Sequence, residues 1–485
     1  MKRLPILFLC TAVLLLTGCL KDDEYTTSNM HRLKVSVDTI AFDTIISGQP
    51  TNTYTFTVYN NNDKSIRISR AYLDGGTASP FKVNIDGSYL VDGNGGGYEI
   101  GAKDSMRIFL FANVADEDSD QPIAYKDVLH FITEGGAESN VVLTAYGQSV
   151  ITMKSVALTS DSTFSASRPY QIYDSLVVAE GATLTVNAGS RLYFHPKAKL
   201  IVRGRLSAIG SFTQPIVFRG DRLGEMFDSQ PYDRIPAQWG GIVFTGSSFN
   251  NIIDHCDIHS GTFGIQCDSS NTDQQKLTIE NSIVHNMGGD CLTATMCKIY
   301  VGNSQITNAL GNCVTLNGGA YDFVQCTIAN FYAFRGGRGV ALSYTNFNND
   351  SELPLTAANF RNCLITGFSK DEIMGSKSDN ADIPFSYLFQ NCLLNTEKTE
   401  DAETIINCQW DTNDDNEVAR EKNFSPEFDS DQLIFYFTLN EKSPAVDNGD
   451  PAIASPYPND LSGRARSDGK PDIGCYEMIP QTTSE

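Results

Sequence analysis

Apolar and polar positions follow an eight-residue pattern that recurs six times between Ile253 and Thr396. Each copy has an apolar first residue, an amide-like third residue, a small fourth residue and an aliphatic sixth residue. The copies are IDHCDIHS, IENSIVHN, VGNSQITN, FVQCTIAN, FRNCLITG and FQNCLLNT, beginning at Ile253, Ile279, Val301, Phe323, Phe360 and Phe389. Self-similarity at steps of 22 to 37 residues predicts a solenoid, whose units bury their apolar faces on one another.

The repeated segments have the character of strands rather than helices. Their apolar residues are mostly β-branched or aromatic, and they lack the i, i+3, i+4, i+7 spacing of helical repeats. Asn at the third position tolerates a left-handed backbone, which fits a tight corner, and the small fourth residue fits where the chain bends inward. We therefore expect a parallel β-helix. Without strict hexapeptide repeats, the right-handed form with about three strands per coil is favoured.

This interpretation predicts columns of like residues through a dry interior. Ile258, Val284, Ile306 and Ile328 share the sixth position of successive copies, so they should stack. Leucines recur every eight residues from Leu176 to Leu200, which predicts that the β-helix already begins in this segment.

Three further segments resemble the opening turns of pectate-lyase-like β-helix proteins. They are GRLSAIG from Gly204, PIVF from Pro215 and WGGIVF from Trp239. Together with the six repeats, the resemblance covers roughly residues 176–400. It implies a β-helix over residues 151–422 and says little about chemistry.

The chain before the β-helix alternates strand-like runs with Gly, Asn and Asp turns. Seven such runs between residues 33 and 148 predict a β-sandwich. The segments TFTVYN from Thr55 and LTAYG from Leu143 resemble immunoglobulin-like domains that separate a lipid anchor from a binding or catalytic module in bacterial surface proteins. Residues 31–150 are assigned to this domain.

The end of the chain resembles the choice-of-anchor Q family of β-helix proteins. The matching segments are SPAVDNG from Ser443, DLSGR from Asp460 and DIGCYE from Asp472, with Cys475 where Ala is usual. The resemblance implies that residues 423–485 close the solenoid. We expect structural rather than catalytic roles for its charged residues, which are Asp447, Asp460, Arg464, Asp472 and Glu477.

The first residues have the pattern of a secretory leader. Basic Lys2 and Arg3 precede an apolar stretch, and the ending LTGC resembles the bacterial lipobox, in which the Cys is acylated. Residues 1–18 are thus predicted to be removed, and acylated Cys19 is predicted to hold the protein on the outer membrane. The tether, residues 19–30, begins with KDDE at positions 21–24, which resembles an acidic export tag for the cell surface, although a solvated linker explains it equally well.

Net charge bears on the possible binding partners, and the positions of the cysteines bear on whether they form disulfides. A formal net charge of −22 argues against nucleic-acid binding. Ten cysteines lie at or beyond Cys256, and four of them share the fourth position of the repeat, which favours free thiols in the interior. A bridge between neighbouring coils, such as Cys291 to Cys313, remains geometrically possible.

Candidate ligand-binding residues cluster in the insertion after the fourth repeat. Arg335, Arg338, Phe334 and Tyr344 combine guanidinium groups with aromatic rings, which suits a sugar. Asp290 and His285 could project near them from earlier coils. The alternative is a surface loop whose aromatic residues pack on the β-helix.

The sequence contains no recognisable metal or cofactor motif. No Cys/His set has zinc spacing, His255 occupies a corner position, and His259 is expected to be exposed. Residues 411–417 match only the first half of a calcium loop, so Ca²⁺ there is a weak hypothesis. Two functions compete: a lipid-anchored protein that binds glycan or another macromolecule without catalysis, and a polysaccharide lyase or glycoside hydrolase acting on an acidic or host-type glycan.

Overall fold

The computed structural model describes residues 24–227, 230–349, 351–399, 401–411, 422–425, 428–429 and 434–479. The predicted signal peptide, Cys19 and residues 412–417 of the calcium-like segment lie outside this part of the chain. The structure divides into two units, Met1–Gln148 and Ser149–Glu485, which are described separately. Within the described residues, no helix combines the length and apolar character needed to cross a membrane.

Over residues 24–148, the first unit contains eleven strands and one 3₁₀ turn. They are β1 Lys34–Val35, β2 Thr39–Ile46, β3 Tyr54–Tyr59, β4 Ile66–Leu73, η1 Gly76–Ala78, β5 Phe81–Ile85, β6 Ser88–Tyr89, β7 Asn94–Gly95, β8 Tyr98–Ile100, β9 Ser105–Ala112, β10 Ile123–Thr133 and β11 Glu138–Gln148.

These strands form two sheets. One has the order β1-β3-β9-β5-β6, and the other has the order β2-β11-β10-β4-β7 with β8 beside β4. Pairing is antiparallel except between β11 and β2. The inward residues of alternating strands, such as Val58, Ile108 and Leu143, are fully buried and form one core. The first of the seven predicted strand-like runs corresponds to two strands, β1 and β2, which join different sheets, and β6, β7 and β8 are too short to show a period-two pattern.

The described residues of the second unit contain 32 strands, one 3₁₀ turn and one short helix. They are β12 Ile151–Leu158, β13 Ser162–Phe164, β14 Tyr170–Val178, β15 Thr183–Asn187, β16 Arg191–Phe194, β17 Lys199–Val202, β18 Arg205–Ile209, β19 Ile216–Gly220, β20 Glu225–Phe227, β21 Gln230–Pro231, η2 Tyr232–Arg234, β22 Gly241–Phe244, β23 Asn251–Asp254, β24 Cys256–His259, β25 Ile265–Cys267, β26 Gln275–Glu280, β27 Ile283–Met287, β28 Leu292–Thr295, β29 Lys298–Gly302, β30 Gln305–Ala309, β31 Val314–Asn317, β32 Gly319–Val324, β33 Thr327–Asn330, β34 Leu342–Thr345, β35 Leu355–Arg361, β36 Leu364–Gly367, β37 Ile373–Ser376, β38 Leu388–Gln390, β39 Leu393–Leu394, β40 Ile405–Ile406, β41 Gln409–Trp410, β42 Phe428–Asp429, β43 Ile434–Phe435 and the short helix α1 Pro451–Ala454.

Two long parallel sheets run along this unit. One contains ten strands, from β13 to β40, and the other contains 18 strands, from β12 to β41. Each coil from β15 to β37 contributes one strand to the first sheet and two to the second, as in β23, β24 and β25. Parallel connections of this kind are right-handed in nearly all proteins. The fold is thus a right-handed parallel β-helix preceded by an immunoglobulin-like β-sandwich, as the sequence predicts.

The predicted interior column is confirmed. Ile258 pairs with Val284, Val284 with Ile306, and Ile306 with Ile328. All four side chains are fully buried in one continuous core. The column supplies the apolar contact that a single coil cannot make within itself.

The corners at the third repeat position have the predicted left-handed backbone. His255, Asn281, Asn303 and Gln325 have φ angles of 48°, 48°, 45° and 53°. Asn303 Nδ2 donates to Asn281 Oδ1 at 2.8 Å, so amides bond along part of the stack. Further along, Gln325 Nε2 donates instead to the carbonyl of Gly474 at 2.9 Å. At this corner, the C-terminal segment therefore replaces the next corner residue as the hydrogen-bond partner.

The ten cysteines from Cys256 onward are all free, and all except half-buried Cys408 are buried. This confirms the expectation of free interior thiols. Cys326 and Cys363 show the arrangement, because each lies at the small position just after a corner and faces the interior.

The described part of residues 423–479 lies along the flank of the β-helix. Tyr457 donates to Glu280 at 2.7 Å, Asn362 Nδ2 donates to the carbonyl of Asp450 at 3.0 Å, and Gly474 N donates to the carbonyl of Asn362 at 2.9 Å. The segment thus contacts several successive coils.

Two of its charged residues, Asp460 and Asp472, accept hydrogen bonds from the backbone of the segment. Asp460 Oδ1 accepts from the backbone of Ser462 and Arg464, and Asp472 accepts from the backbone of Asp447 and Met478. Such carboxylate bonds to N–H groups hold the irregular backbone in place.

Candidate functional site

A cluster of ionisable side chains lies on the outer face of two neighbouring parallel strands, β24 and β27. Alternation along β24 turns Ile258 inward and places Asp257 and His259 on the opposite face. On the next coil His285 lies in register with His259, and the centroids of the two rings are 5.0 Å apart. The backbone of β24 is further fixed by Trp239, whose indole N–H donates to the carbonyl of His259 at 2.7 Å.

Two segments from elsewhere in the chain cover this face. The insertion between β19 and β22 places η2 over His259, and Ser260 Oγ donates to the carbonyl of Asp233. From the other side, Tyr476 of the C-terminal segment donates its hydroxyl to Gln305 Oε1 at 2.7 Å. Because neither cover spans the whole face, an opening remains between them.

That opening is a cleft of about 210 Å³. Its walls combine amides, hydroxyls, charged groups and aromatic rings. The lining residues are Arg234, Asp257, Ile283, His285, Asn286, Gln305, Thr307, Asn308, Tyr436, Phe437, Thr438 and Tyr476.

A chain of four ionisable side chains runs from the insertion into the cleft. Asp233 Oδ1 lies 2.6 Å from His259 Nε2, and Asp257 Oδ1 lies 2.8 Å from His259 Nδ1. Asp257 Oδ1 also lies 3.1 Å from His285 Nε2. Arg219 secures the far end through a 2.7 Å ion pair with Asp233.

Burial and charge set the protonation of this chain. Burial opposes the charge of Asp257, yet His259 and His285 hold its pKa well below the usual value. Burial also opposes a charged His259, but Asp257 and Asp233 raise its pKa to about 9. For His285 burial prevails over Asp257, so its pKa is lowered. Near neutral pH, His259 is therefore an imidazolium between the carboxylates of Asp233 and Asp257, and His285 is a neutral imidazole.

Of the candidates predicted from sequence, His285 lines the cleft and the others lie elsewhere. Arg335 is exposed, and Phe334 is half-buried with its ring 5.5 Å from Tyr332. The guanidinium of Arg338 lies 4.8 Å from the ring centroid of Phe368. The ligand-binding role assigned to these residues stays a prediction.

Asp290 and Tyr344 are held by neighbouring residues of the β-helix. Asp290 accepts from the backbone of Asn312 at 2.9 Å and from Thr315 Oγ1 at 2.6 Å. Tyr344 is buried, and its ring stacks 5.5 Å from Phe385. Their predicted contribution to ligand binding is likewise untested by this geometry.

The expectation that His259 is exposed is wrong. Its side chain is buried because η2 and the carboxylates of Asp233 and Asp257 enclose it. One signal could have identified the pair of histidines: His259 and His285 both occupy the seventh position of the repeat, 26 residues apart. In a parallel coil, that spacing places them side by side.

Comparisons with known proteins match parts of the chain at low similarity. No family model matches it. Protein bark beetle of Drosophila melanogaster is 38% identical over 84 residues, which are 17% of this chain, and the match spans 2% of that protein's length.

Among solved structures, pectate lyase Pel9A is 12% identical with a TM-score of 0.25, covering 68% of this chain and 88% of that one. The Agl-KA catalytic domain is 9% identical with a TM-score of 0.22, covering 74% of this chain and 73% of that one. A PapD-like domain of human CEP192 is 9% identical with a TM-score of 0.17, covering 27% of this chain and 94% of that one. Similarity at this level says nothing about the cleft, whose chemistry must be argued from its own residues.

Proposed function

We propose that this protein is lipid-anchored at the cell surface and binds the end of a glycan chain in the cleft, without cleaving it. The observation that carries the proposal is the composition of the cleft wall. Asn286, Gln305 and Asn308 offer amide groups, which both donate and accept hydrogen bonds, as sugar hydroxyls do. Tyr436 and Phe437 add aromatic surface on which the apolar face of a sugar ring can pack.

Size and charge narrow the proposed ligand. The cleft, at about 210 Å³, is smaller than the roughly 300–1,000 Å³ typical of drug-sized ligands, so it suits a single terminal sugar. Arg234 lines the cleft, and its Nε is buried without a hydrogen-bond partner among the described residues. A guanidinium there favours a sugar that carries a carboxylate.

The single carboxylate found among the described lining residues supports binding over hydrolysis. Glycoside hydrolases generally place two carboxylic acids on either side of the scissile bond. Among the described residues that line the cleft, Asp257 is the single carboxylate, and its acceptor oxygen is already bonded to His259 and His285. A second acid on the opposite wall is missing from this described set.

A lyase is the second candidate, and one observation favours it. His285 lines the cleft, and the burial that lowers its pKa keeps it neutral, which is the state a general base needs. Its Nε2 faces Asp257, which would stabilise the imidazolium formed on proton uptake. Incubation with acidic polysaccharides should then generate unsaturated products, and their absorbance separates this function from binding alone.

Replacing Arg234 by alanine should weaken glycan binding about tenfold or more. A hydrogen bond to a charged partner contributes roughly 1.5–3 kcal/mol, and 1.4 kcal/mol is a factor of ten in Kd. A glycan array probed with residues 20–485 would identify the ligand, and calorimetric titration of wild type and Arg234→Ala would measure the change.

The double variant Arg335→Ala/Arg338→Ala is the matched control, because it also removes guanidinium groups but leaves the cleft unchanged. If the cleft is the binding site, this variant should bind like wild type, and the ligand-binding role predicted for Arg335 and Arg338 from the sequence would then be wrong. Loss of binding in this control together with wild-type affinity in Arg234→Ala would move the site to the insertion after β33 and contradict the cleft.

Replacing Cys19 by alanine should release the protein from the membrane fraction. The proposed acyl chains each contribute roughly 0.8 kcal/mol per buried methylene, and two or more chains hold a protein firmly. Detergent phase partitioning of cells that express wild type or Cys19→Ala measures the difference. Cys10→Ala, which changes a leader cysteine outside the LTGC segment, should partition as wild type; equal partitioning of all three proteins would refute the anchor.

A further inference from the structure

We propose that Asp257, His259 and His285 together bind a divalent transition-metal ion, with Zn²⁺ as the reference ion. Their candidate ligand atoms, one from each side chain, all lie within 4.8 Å of one another. Two imidazoles and one carboxylate form a ligand set that suits Zn²⁺ and related first-row ions. The inference does not depend on the identity of the glycan.

The distances within the cluster are close to those of an occupied site. Zn²⁺ bonds of about 2.0–2.2 Å in a tetrahedron place neighbouring ligand atoms roughly 3.3 Å apart. Asp257 Oδ1 lies 2.8 Å from His259 Nδ1 and 3.1 Å from His285 Nε2. Movements of a few tenths of an ångström would therefore admit the ion. The strands that carry the ligands, β24 and β27, are paired in register, so their spacing is fixed.

The surroundings of His259 match those of metal-bound histidines. Such a ring usually donates its second N–H to a carboxylate, which sets its orientation and increases its basicity. His259 has Nδ1 toward Asp257 and Nε2 at 2.6 Å from Asp233. Asp233 is in turn paired with Arg219 at 2.7 Å. This carboxylate already has its partner outside the cluster, so it can orient the ring without becoming a ligand itself.

Charge and access are also compatible with a cation. Asp257 supplies a carboxylate to the cluster, while Asp233 is neutralised outside it by Arg219 at 2.7 Å. Asp257 and His285 line the cleft. Three protein ligands leave a fourth position for water or a ligand oxygen, as in open zinc sites.

The three ligands do not form a local metal-binding motif in the sequence, although the shared repeat position of His259 and His285 predicts that these two side chains lie side by side. Asp257 and His259 are two residues apart on one strand, and His285 follows one coil later. Only stacking of the coils brings the three together.

Metal titration of the full chain, purified in detergent and stripped with chelator, tests the inference. We expect one equivalent of Zn²⁺ per chain. His285→Ala should lower the affinity at least tenfold, and Asp233→Asn should lower it about 10–100-fold through the orientation of His259. His195→Ala is the matched control, because His195 also pairs with a carboxylate, Asp221, at 2.9 Å, but lies outside the cluster. It should leave the affinity unchanged.

Co²⁺ in place of Zn²⁺ identifies the donor atoms. Ligation by nitrogen and oxygen should give visible d–d bands without the near-ultraviolet charge-transfer band of a cobalt–thiolate bond, which excludes the buried cysteines. Wild-type protein that binds no metal, binding that His285→Ala leaves intact, or a thiolate band would each overturn the proposal. The wild-type titration is decisive even if a variant fails to fold.

Discussion

Replacing Ile306 by alanine should lower the free energy of unfolding by about 2–5 kcal/mol, the usual cost of deleting a buried branched side chain. Ile306 is fully buried and lies between Val284 and Ile328 in the interior column. Removing its methyl groups leaves a cavity in contact with two neighbouring coils, and neither can close it without breaking the register of its strands. Urea unfolding followed by circular dichroism measures the loss. Because solenoids can unfold in parts, hydrogen exchange over β27–β33 should locate it.

The matched control is the same substitution at an exposed position. Ile209 at the end of β18 keeps 46% of its surface in water, so Ile209→Ala should change the stability by less than about 0.5 kcal/mol. Ile306→Val, which removes only one methylene, should cost about 0.5–1.5 kcal/mol. If Ile306→Ala were as mild as Ile209→Ala, the interior column would not be the main source of stability.

The interior and corners of the β-helix could be predicted because they repeat. Coil length places equivalent residues directly above one another, so the sixth position must be apolar and the third must accept a left-handed backbone. Val284 and Asn281 show both requirements in one copy. The neighbours of such a residue are the same position in the copies before and after it, so the repeat pattern is enough to predict its surroundings.

The β-helix contains a seventh copy of the pattern, beyond the six identified from the sequence. Residues 405–410 read IINCQW, and Asn407 has the same left-handed corner, with φ of 51°. Trp410 occupies the sixth position, where the other copies have an aliphatic residue, and it packs partly buried against the core. The sixth position therefore accepts an aromatic side chain at the last coil, where Trp410 is only partly enclosed by the core.

The cleft could not be predicted in the same way. Its walls come from segments that are far apart in sequence, since Tyr476 meets Gln305 across 171 residues. The outward side chain of a strand faces solvent unless another segment covers it. The repeat pattern contains no information about which segments cover the outer face of the β-helix. His259 was therefore expected to be exposed, while η2, from a single non-repeating insertion, buries it.

Replacing Arg466 by alanine should release part of the C-terminal segment at a cost of about 3–5 kcal/mol, the usual penalty for removing one partner of a buried ion pair. The side chains of Arg466 and Glu477 are only 3% and 9% exposed and form an ion pair. Arg466 also donates to Asn303 Oδ1 at 3.0 Å and so connects the segment to a corner of the β-helix. Hydrogen exchange across residues 437–479 should increase, while the interior column should keep its protection.

The loss should depend on pH in a defined direction. Burial raises the pKa of Glu477 to about 7, even though Arg466 lowers it. In the variant that pKa should be higher still, because Arg466 no longer lowers it. The variant therefore holds an unpaired buried carboxylate only at high pH, whereas at pH 7 and below the folded state carries a proton there and the charge disappears. The destabilisation by Arg466→Ala should thus shrink as pH falls through about 7. Arg464→Ala is the control, because within the part of the chain that the structure describes the Arg464 guanidinium makes one long hydrogen bond, 3.4 Å to a backbone carbonyl.

Function should follow the segment, because Tyr476 is adjacent to Glu477 and lines the cleft. Once the segment loosens, the bond from Tyr476 to Gln305 is lost and one wall of the cleft moves away. Arg466→Ala should then weaken glycan binding at pH 8 more than at pH 5.5. The double replacement Arg466→Met/Glu477→Met, which removes both charges, should recover much of the stability. A double variant as unstable as Arg466→Ala would show that the ion pair is not what holds the segment to the β-helix.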